Sequence, residues 1–305
     1  MTESQAMSTN AHARPGRLAV GVISAGRVGA VLGAALRQAG HRVVAVSAVS
    51  AASLHRASAL LPGVEVRTPD VIGPDVDLLL LAVPDDALPA LVEGLVNAGS
   101  VRSGQFVAHT SGRYGIDVLS PASAIGALPL ALHPAMTFTG TSVDLERLTG
   151  VCFGVTSPLV LRPVAEALVL EMGGDPVWID EVDRPLYHAA LAHGANHLVT
   201  LVASSMDLLR AAGVENPQRL LGPLLSAALD NALRSGDAGL TGPVVRGDAG
   251  TLAAHLDVLG RVSPETTAAY IAMARLTADR ALAAGLLPAD DAAELLGVLS
   301  RGSNE

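Results

Sequence analysis

The sequence predicts a doubly wound, mostly parallel α/β sheet followed by an all-α C-terminal domain. Two observations carry this. Apolar, strand-like runs recur at 18–23, 43–46, 77–83, 105–109, 125–132 and 151–156 with helical segments between them, the alternation expected of a parallel sheet covered on both faces. From Asp183 onward the pattern is helical only.

The opening stretch, RLAVGVISAGRVGAVLGAALRQAGHRVVAVS at 17–47, reads as strand, tight glycine turn, helix and second strand. The strand is 18–23, the turn carries Ser24, Gly26 and Gly29, and the helix covers 28–39 before Gly40 stops it. This is the first unit of a Rossmann domain, in which the uncapped helix start and its positive dipole end face a dinucleotide pyrophosphate. A helix at 163–172 and a short strand at 175–179 close the sheet layer. A long helix follows at 184–211, ended by Gly213, then helices at 217–233, 249–259, 264–284 and 288–299, with proline near several starts and glycine at several ends. The expected domains are a disordered tail at 1–16, a Rossmann-like dinucleotide-binding domain at 17–180, and an all-helical dimerisation and substrate domain at 181–305.

Composition excludes several functions. A net charge of −9 with no basic cluster argues against nucleic acid and anionic membranes. Aromatic residues are 2% of the chain, too few for a base-stacking platform. The single cysteine, Cys152, rules out an internal disulfide and a cysteine-rich metal site. No apolar run approaches a membrane span, so a soluble, cytoplasmic protein is expected. All 20 basic residues are arginine. A Schiff base and a lysine general acid are therefore unavailable, and histidine is the first choice of proton donor.

Ligands of open α/β sheets lie beyond the carboxyl ends of the strands. At the first, the turn S-A-G-R-V-G has a serine where the usual fingerprint has glycine. It forms a tight turn if Ser24 keeps a negative φ, while Gly26 permits close backbone approach and Gly29 close helix packing. Ser24, Ala25, Gly26, Arg27, Val28 and Gly29 are assigned to the cofactor. At the second, Ser47, Ser50, Ser53 and Arg56 stand where an NAD-specific protein carries a carboxylate. Hydroxyls followed by a cation favour the 2′-phosphate of NADP, with NAD left open, or else form an ordinary loop and helix start. At the third, Val83 and Pro84 border the cofactor, and Asp85 or Asp86 caps the next helix. Beyond the fourth, Ser111 in AHTSG holds a substrate oxygen or caps a turn.

His133 follows the fifth run in LHPAMTF and either protonates a reduced carbonyl or is a structural histidine. On the long helix, 100° per residue places His193, Asn196, His197, Thr200, Ser204 and Asp207 along one line, a polar cleft wall with no metal motif. His188 falls on another face. In LTGPVVRGDAG, Asp248 caps a helix and Arg246 binds a substrate carboxylate or a partner subunit.

Together GVISAGRVG, LLLLAVPDDAL, AHTSG, LHPAMTF and LTGPVVRGD resemble the bacterial family that joins a Rossmann-like domain to C-terminal domain of unknown function 2520. More distantly the layout is similar to pyrroline-5-carboxylate reductase and to prephenate dehydrogenase, whose His-Pro segment matches His133-Pro134. Asn196 is similarly placed to the asparagine of 6-phosphogluconate dehydrogenase-like and ketopantoate reductases, but their lysine would fall at Ala192. The resemblance implies a dimeric, NADP-linked oxidoreductase and supplies no substrate; the residues add the expectation of a small-molecule substrate, an oxo- or imino-acid, with His133, Ser111, His193 and Asn196 facing the reacting carbon. The alternative is a non-catalytic Rossmann-fold nucleotide-binding or regulatory dimer.

Overall fold

The computed structural model describes residues 16–301. The tail expected at 1–16 lies outside them except for Gly16. The chain divides into two compact units, 1–193 and 194–305. Arg184 and Tyr187 belong to the first, beyond the boundary at 180 expected from the sequence.

In the first unit the elements run β1 (Ala19–Ile23), α1 (Arg27–Gln38), β2 (Arg42–Val46), α2 (Ala51–Leu60), β3 (Glu65–Val66), α3 (Pro69–Ile72), β4 (Leu78–Leu81), α4 (Leu88–Asn97), β5 (Phe106–His109), α5 (Ser120–Ala124), β6 (Leu128–Pro134), α6 (Val143–Arg147), β7 (Cys152–Thr156), α7 (Arg162–Glu171), β8 (Asp175–Trp178) and α8 (Arg184–Leu191). The strands form one sheet in the order β3-β2-β1-β4-β5-β6-β7-β8. Every pairing is parallel except β6 with β7. Helices on both faces bury the central strands, so all four leucines of β4 lie in the core. One apolar cluster packs α1 and α7 against one face, and another packs α4 against the opposite face.

β6 begins later than expected and extends to Pro134, because its end pairs with β7: His133 is opposite Gly154. His133 is therefore part of the sheet rather than of the loop after it. Strand β3 was not legible, being two exposed residues with no apolar alternation.

The second unit holds α9 (His197–Ala211), α10 (Pro217–Ser235), α11 (Ala249–Val262), α12 (Pro264–Ala283) and α13 (Ala289–Arg301). Its core lies among the last three, around Leu252, Ala278 and Leu295. The single helix expected at 184–211 is interrupted by a π-helical turn at Ala192–Asn196. That turn breaks the 3.6-residue phase, so residues before and after it do not share the single line a continuous α-helix would give them.

Candidate functional site

The order reversal between β1 and β4 opens a crevice at the carboxyl edge of the sheet, and the glycine turn sits there. Ser24 has φ +82°, the one positive-φ non-glycine among the described residues, so the negative φ expected for it is corrected. The left-handed conformation costs a serine about 1–2 kcal/mol. Its neighbours hold it: the Ser24 N–H donates to Ser47 Oγ at 2.8 Å, and the Ala25 N–H to the Ser47 carbonyl at 2.7 Å.

A Cβ on Gly29 would lie 2.1 Å from the Ser24 carbonyl oxygen, so this position accepts only glycine. We expect Gly29→Ala to lose about 3 kcal/mol in urea unfolding, since the obstacle is backbone and cannot turn aside. Gly26 differs. A Cβ there would meet Ser24 Oγ at 3.3 Å and the Ala82 carbonyl at 3.8 Å, without severe overlap. Protein packing does not demand glycine there, whereas close approach by a ligand would.

Helix α1 starts with no side-chain cap, no acidic residue in its first turn, and Arg27 as its first residue. A cation at the positive dipole end is unfavourable unless an anion lies between them. Arg56 reaches over from α2, its Nε donating to the Ala25 carbonyl at 3.1 Å. Both arginines pack on Gly140, where a Cβ would lie 2.8 Å from Arg56 Cδ and 3.3 Å from Arg27 Cα. The loop carrying Gly140 is fixed by the wholly buried Asp144, whose carboxylate accepts from the Thr139 and Gly140 N–H groups at 2.8 and 2.7 Å and from the Thr139 hydroxyl at 2.9 Å.

The serines near Arg56 are engaged otherwise than the sequence suggested. Ser47 is buried beneath the turn, and Ser50 and Ser53 form a reciprocal capping box for α2. Val83 and Pro84 follow β4 at the crevice. Neither Asp85 nor Asp86 caps α4, whose N-cap is Ala87 with no side-chain bond.

Further along the same edge lies a cluster of ring side chains. His133 Nδ1 is 2.8 Å from the Tyr187 hydroxyl, the rings meeting edge-on at 88°. His188 approaches the His133 ring with centroids 5.9 Å apart. Two glycines make room: a Cβ on Gly154 would lie 2.4 Å from the Tyr187 oxygen, and one on Gly112 would lie 2.2 Å from His188 Nδ1 and 2.9 Å from His133 Nε2. Burial, aided by His188 and Arg184, pushes the His133 imidazole down to about 4, so it is neutral at pH 7. Burial raises the Tyr187 phenol.

Beneath them Arg184 is wholly buried. Its Nε donates to Thr156 Oγ1 at 2.8 Å, and its terminal nitrogens to the carbonyls of Ser111, Ala131 and Gly154 at 3.4, 3.2 and 2.9 Å. Every one of these acceptors is neutral. Ser111 is also buried, and its Oγ accepts from the Arg113 and Tyr114 N–H groups, which is the turn-capping role.

His193 lies in the π turn that ends the first unit, and Asn196 lies in that turn within the second. Arg246 is exposed in the turn before α11, which Asp248 caps through the Thr251 N–H at 2.9 Å. Sequence reasoning missed Tyr187, His188 and Arg184. The signal was Gly154, an isolated glycine inside a strand, which marks a close approach from outside the sheet.

Residues 3–134 match the Rossmann-like domain and residues 151–277 match a domain of unknown function, DUF2520. No curated protein matches the chain. The fold is similar to that of a candidate NADP oxidoreductase from Bacteroides fragilis, 20% identical, covering 86% of this chain and 98% of that one with a TM-score of 0.73. It is similar to an imine reductase from Pseudomonas sp., 20% identical, covering 93% and 100% with a TM-score of 0.64. A pyrroline carboxylate reductase from Plasmodium falciparum, solved with NADP bound, is 13% identical over 87% and 100%, with a TM-score of 0.54. At these identities the likeness is one of fold.

Proposed function

The chain joins a Rossmann-like domain to a DUF2520 domain, and from that premise we propose that it is a cytoplasmic NADP(H)-linked oxidoreductase acting on a small oxo- or imino-acid. The observation that carries this is the uncapped start of α1 at the switch point, with Gly29 locked under Ser24 and Gly26 open to a ligand. The proteins of similar fold include an imine reductase and a pyrroline carboxylate reductase with NADP bound, which supports the same cofactor and substrate class. Gly26, Arg27 and Gly29 hold the pyrophosphate. Arg56, which reaches the turn at Ala25, takes the 2′-phosphate. When bound, the nicotinamide supplies or accepts the hydride.

His133 stands at the reacting end. Arg184 hydrogen-bonds to neutral acceptors, and its charge, offset in part by Glu181, favours a substrate that carries a carboxylate. An imine suits a lysine-free site because its nitrogen is more basic than a ketone oxygen and asks less of a general acid.

The second unit supports a homodimer. Helix α9 buries none of its fifteen residues and α10 leaves Leu224 and Leu233 60% and 79% exposed. A second copy covering these apolar helices accounts for them. Among the described residues no helix is long and apolar enough to cross a membrane.

Titration with NADPH and, separately, NADH by nicotinamide fluorescence tests the reading. We expect micromolar NADPH affinity, weaker NADH affinity, and a light-scattering mass twice the 30.9 kDa chain. A protein that binds neither nucleotide is not an oxidoreductase of this kind.

A further inference from the structure

We propose that Tyr187 is the acid that protonates the reduced substrate, with His133 as its relay, through the contact between the Tyr187 hydroxyl and His133 Nδ1. The proposal rests on the oxidoreductase reading above and assigns the one role that a chain without lysine leaves open.

The geometry is built rather than incidental. The Tyr187 oxygen lies over Gly154, the residue opposite His133 in the sheet, in space that any side chain at 154 would occupy. Helix α8 is fixed one turn earlier by Arg184, which holds β6 and β7 through the Ala131 and Gly154 carbonyls. On the other side of the imidazole, Gly112 admits His133 Nε2 and His188 Nδ1 to its Cα. His188 Nδ1 is buried with no hydrogen-bond partner among the described residues. The ring of Tyr187 also lines a cavity of about 340 Å³ with Trp178 and Leu186, so the residue is not sealed in the core. The ionisable groups around Tyr187 are His133, Arg184 and Cys152, with His188 beyond the imidazole and Asp180 and Asp183 lining the same cavity.

His133 itself is a poor acid at neutral pH, because it is already neutral there. Tyr187 carries its proton throughout that range. In the reducing direction the Tyr187 O–H bond breaks as an N–H or O–H bond forms on the substrate and hydride reaches the adjacent carbon from the bound reduced nicotinamide. The phenolate is stabilised by the Arg184 charge and by the adjacent Gly154 backbone. It takes the proton from His133 Nδ1 as Nε2 takes one from water, and exchange of the ring proton with water then restores the Nδ1–H tautomer and the neutral dyad.

The test uses full-length protein, wild type and Tyr187→Phe, with NADPH affinity by fluorescence, turnover on a panel of cyclic imines and 2-oxo acids, and ¹⁵N NMR of the histidine rings. We expect Tyr187→Phe to keep its NADPH affinity and melting temperature, to lose roughly 100-fold or more in kcat, and to shift the His133 Nδ1 signal. Wild-type kcat should stay flat from pH 6 to 8, whereas a histidine acid would lose rate as pH rises through that range. Tyr187→Phe turnover within threefold of wild type, or a His133 signal indifferent to the substitution, overturns the proposal while NADPH binding still supports the oxidoreductase. Where no compound turns over, the His133 signal decides. Loss of NADPH binding by the wild type itself would remove the parent reading.

Discussion

Urea unfolding followed from pH 7 to pH 4 is expected to show stability falling steadily, with His109 alone contributing about 3 kcal/mol to the loss. His109 ends β5 and is wholly buried. Its Nε2 donates to the Gly115 carbonyl at 2.7 Å while its Nδ1 accepts from the Ser111 N–H at 3.1 Å. That pairing fits only the neutral ring, since a proton on Nδ1 would face another N–H. Burial, with the Arg184 charge adding to it, pushes the imidazole from its ordinary 6.5 down to about 4. Below pH 6.5 the unfolded chain therefore takes up a proton that the native state refuses. The stability is fully present above pH 6.5 and is lost as pH falls towards 4. His133, held at about 4 chiefly by burial, acts in the same direction. A stability curve flat between pH 7 and 5 would contradict the assignment, and His109→Gln should shallow the slope in proportion to its share.

How much of this was legible in the sequence follows from which residues obey their usual preferences. The parallel sheet was legible because strands buried on both faces must be continuous apolar runs, as β4 and β5 are. Gly29 and Asp248 were legible because glycine packing and helix capping are local. Ser24 was misread, since left-handed backbone at a serine is sustained by Ser47, a residue distant in sequence. The serines before α2 read as phosphate ligands or as an ordinary loop and helix start, and only the folded chain shows the capping box. The π turn was invisible because sequence periodicity assumes an uninterrupted helix. Arg184 was hidden for a simpler reason: arginine is almost never fully buried unless paired, so its default reading is a solvated residue at a helix start. With it went Tyr187 and His188, which follow on the next turn.

The same arginine should give the largest stability effect of a single substitution. Arg184→Met is expected to lose about 3–5 kcal/mol in urea unfolding. Two terms oppose each other. Burying a guanidinium costs several kcal/mol, and methionine, similar in its aliphatic reach, removes that cost. Against this, the substitution takes a donor from Thr156 Oγ1 and from the Ser111, Ala131 and Gly154 carbonyls, and a buried acceptor left unpaired costs about 1–3 kcal/mol. Several acceptors drawn from separate strands and loops outweigh one desolvation, provided water cannot reach them, and Arg184 shows no exposed surface at all. Thr156 also donates to the Ile179 carbonyl at 2.6 Å, so the loss extends towards β8. Arg184→Lys keeps the charge but not the planar fork that spans β6 and β7, and should recover less than half of the difference. If methionine leaves the urea midpoint unchanged, the guanidinium is a net cost that the fold tolerates for its charge, and the site's electrostatics rather than its architecture explain why arginine stands there.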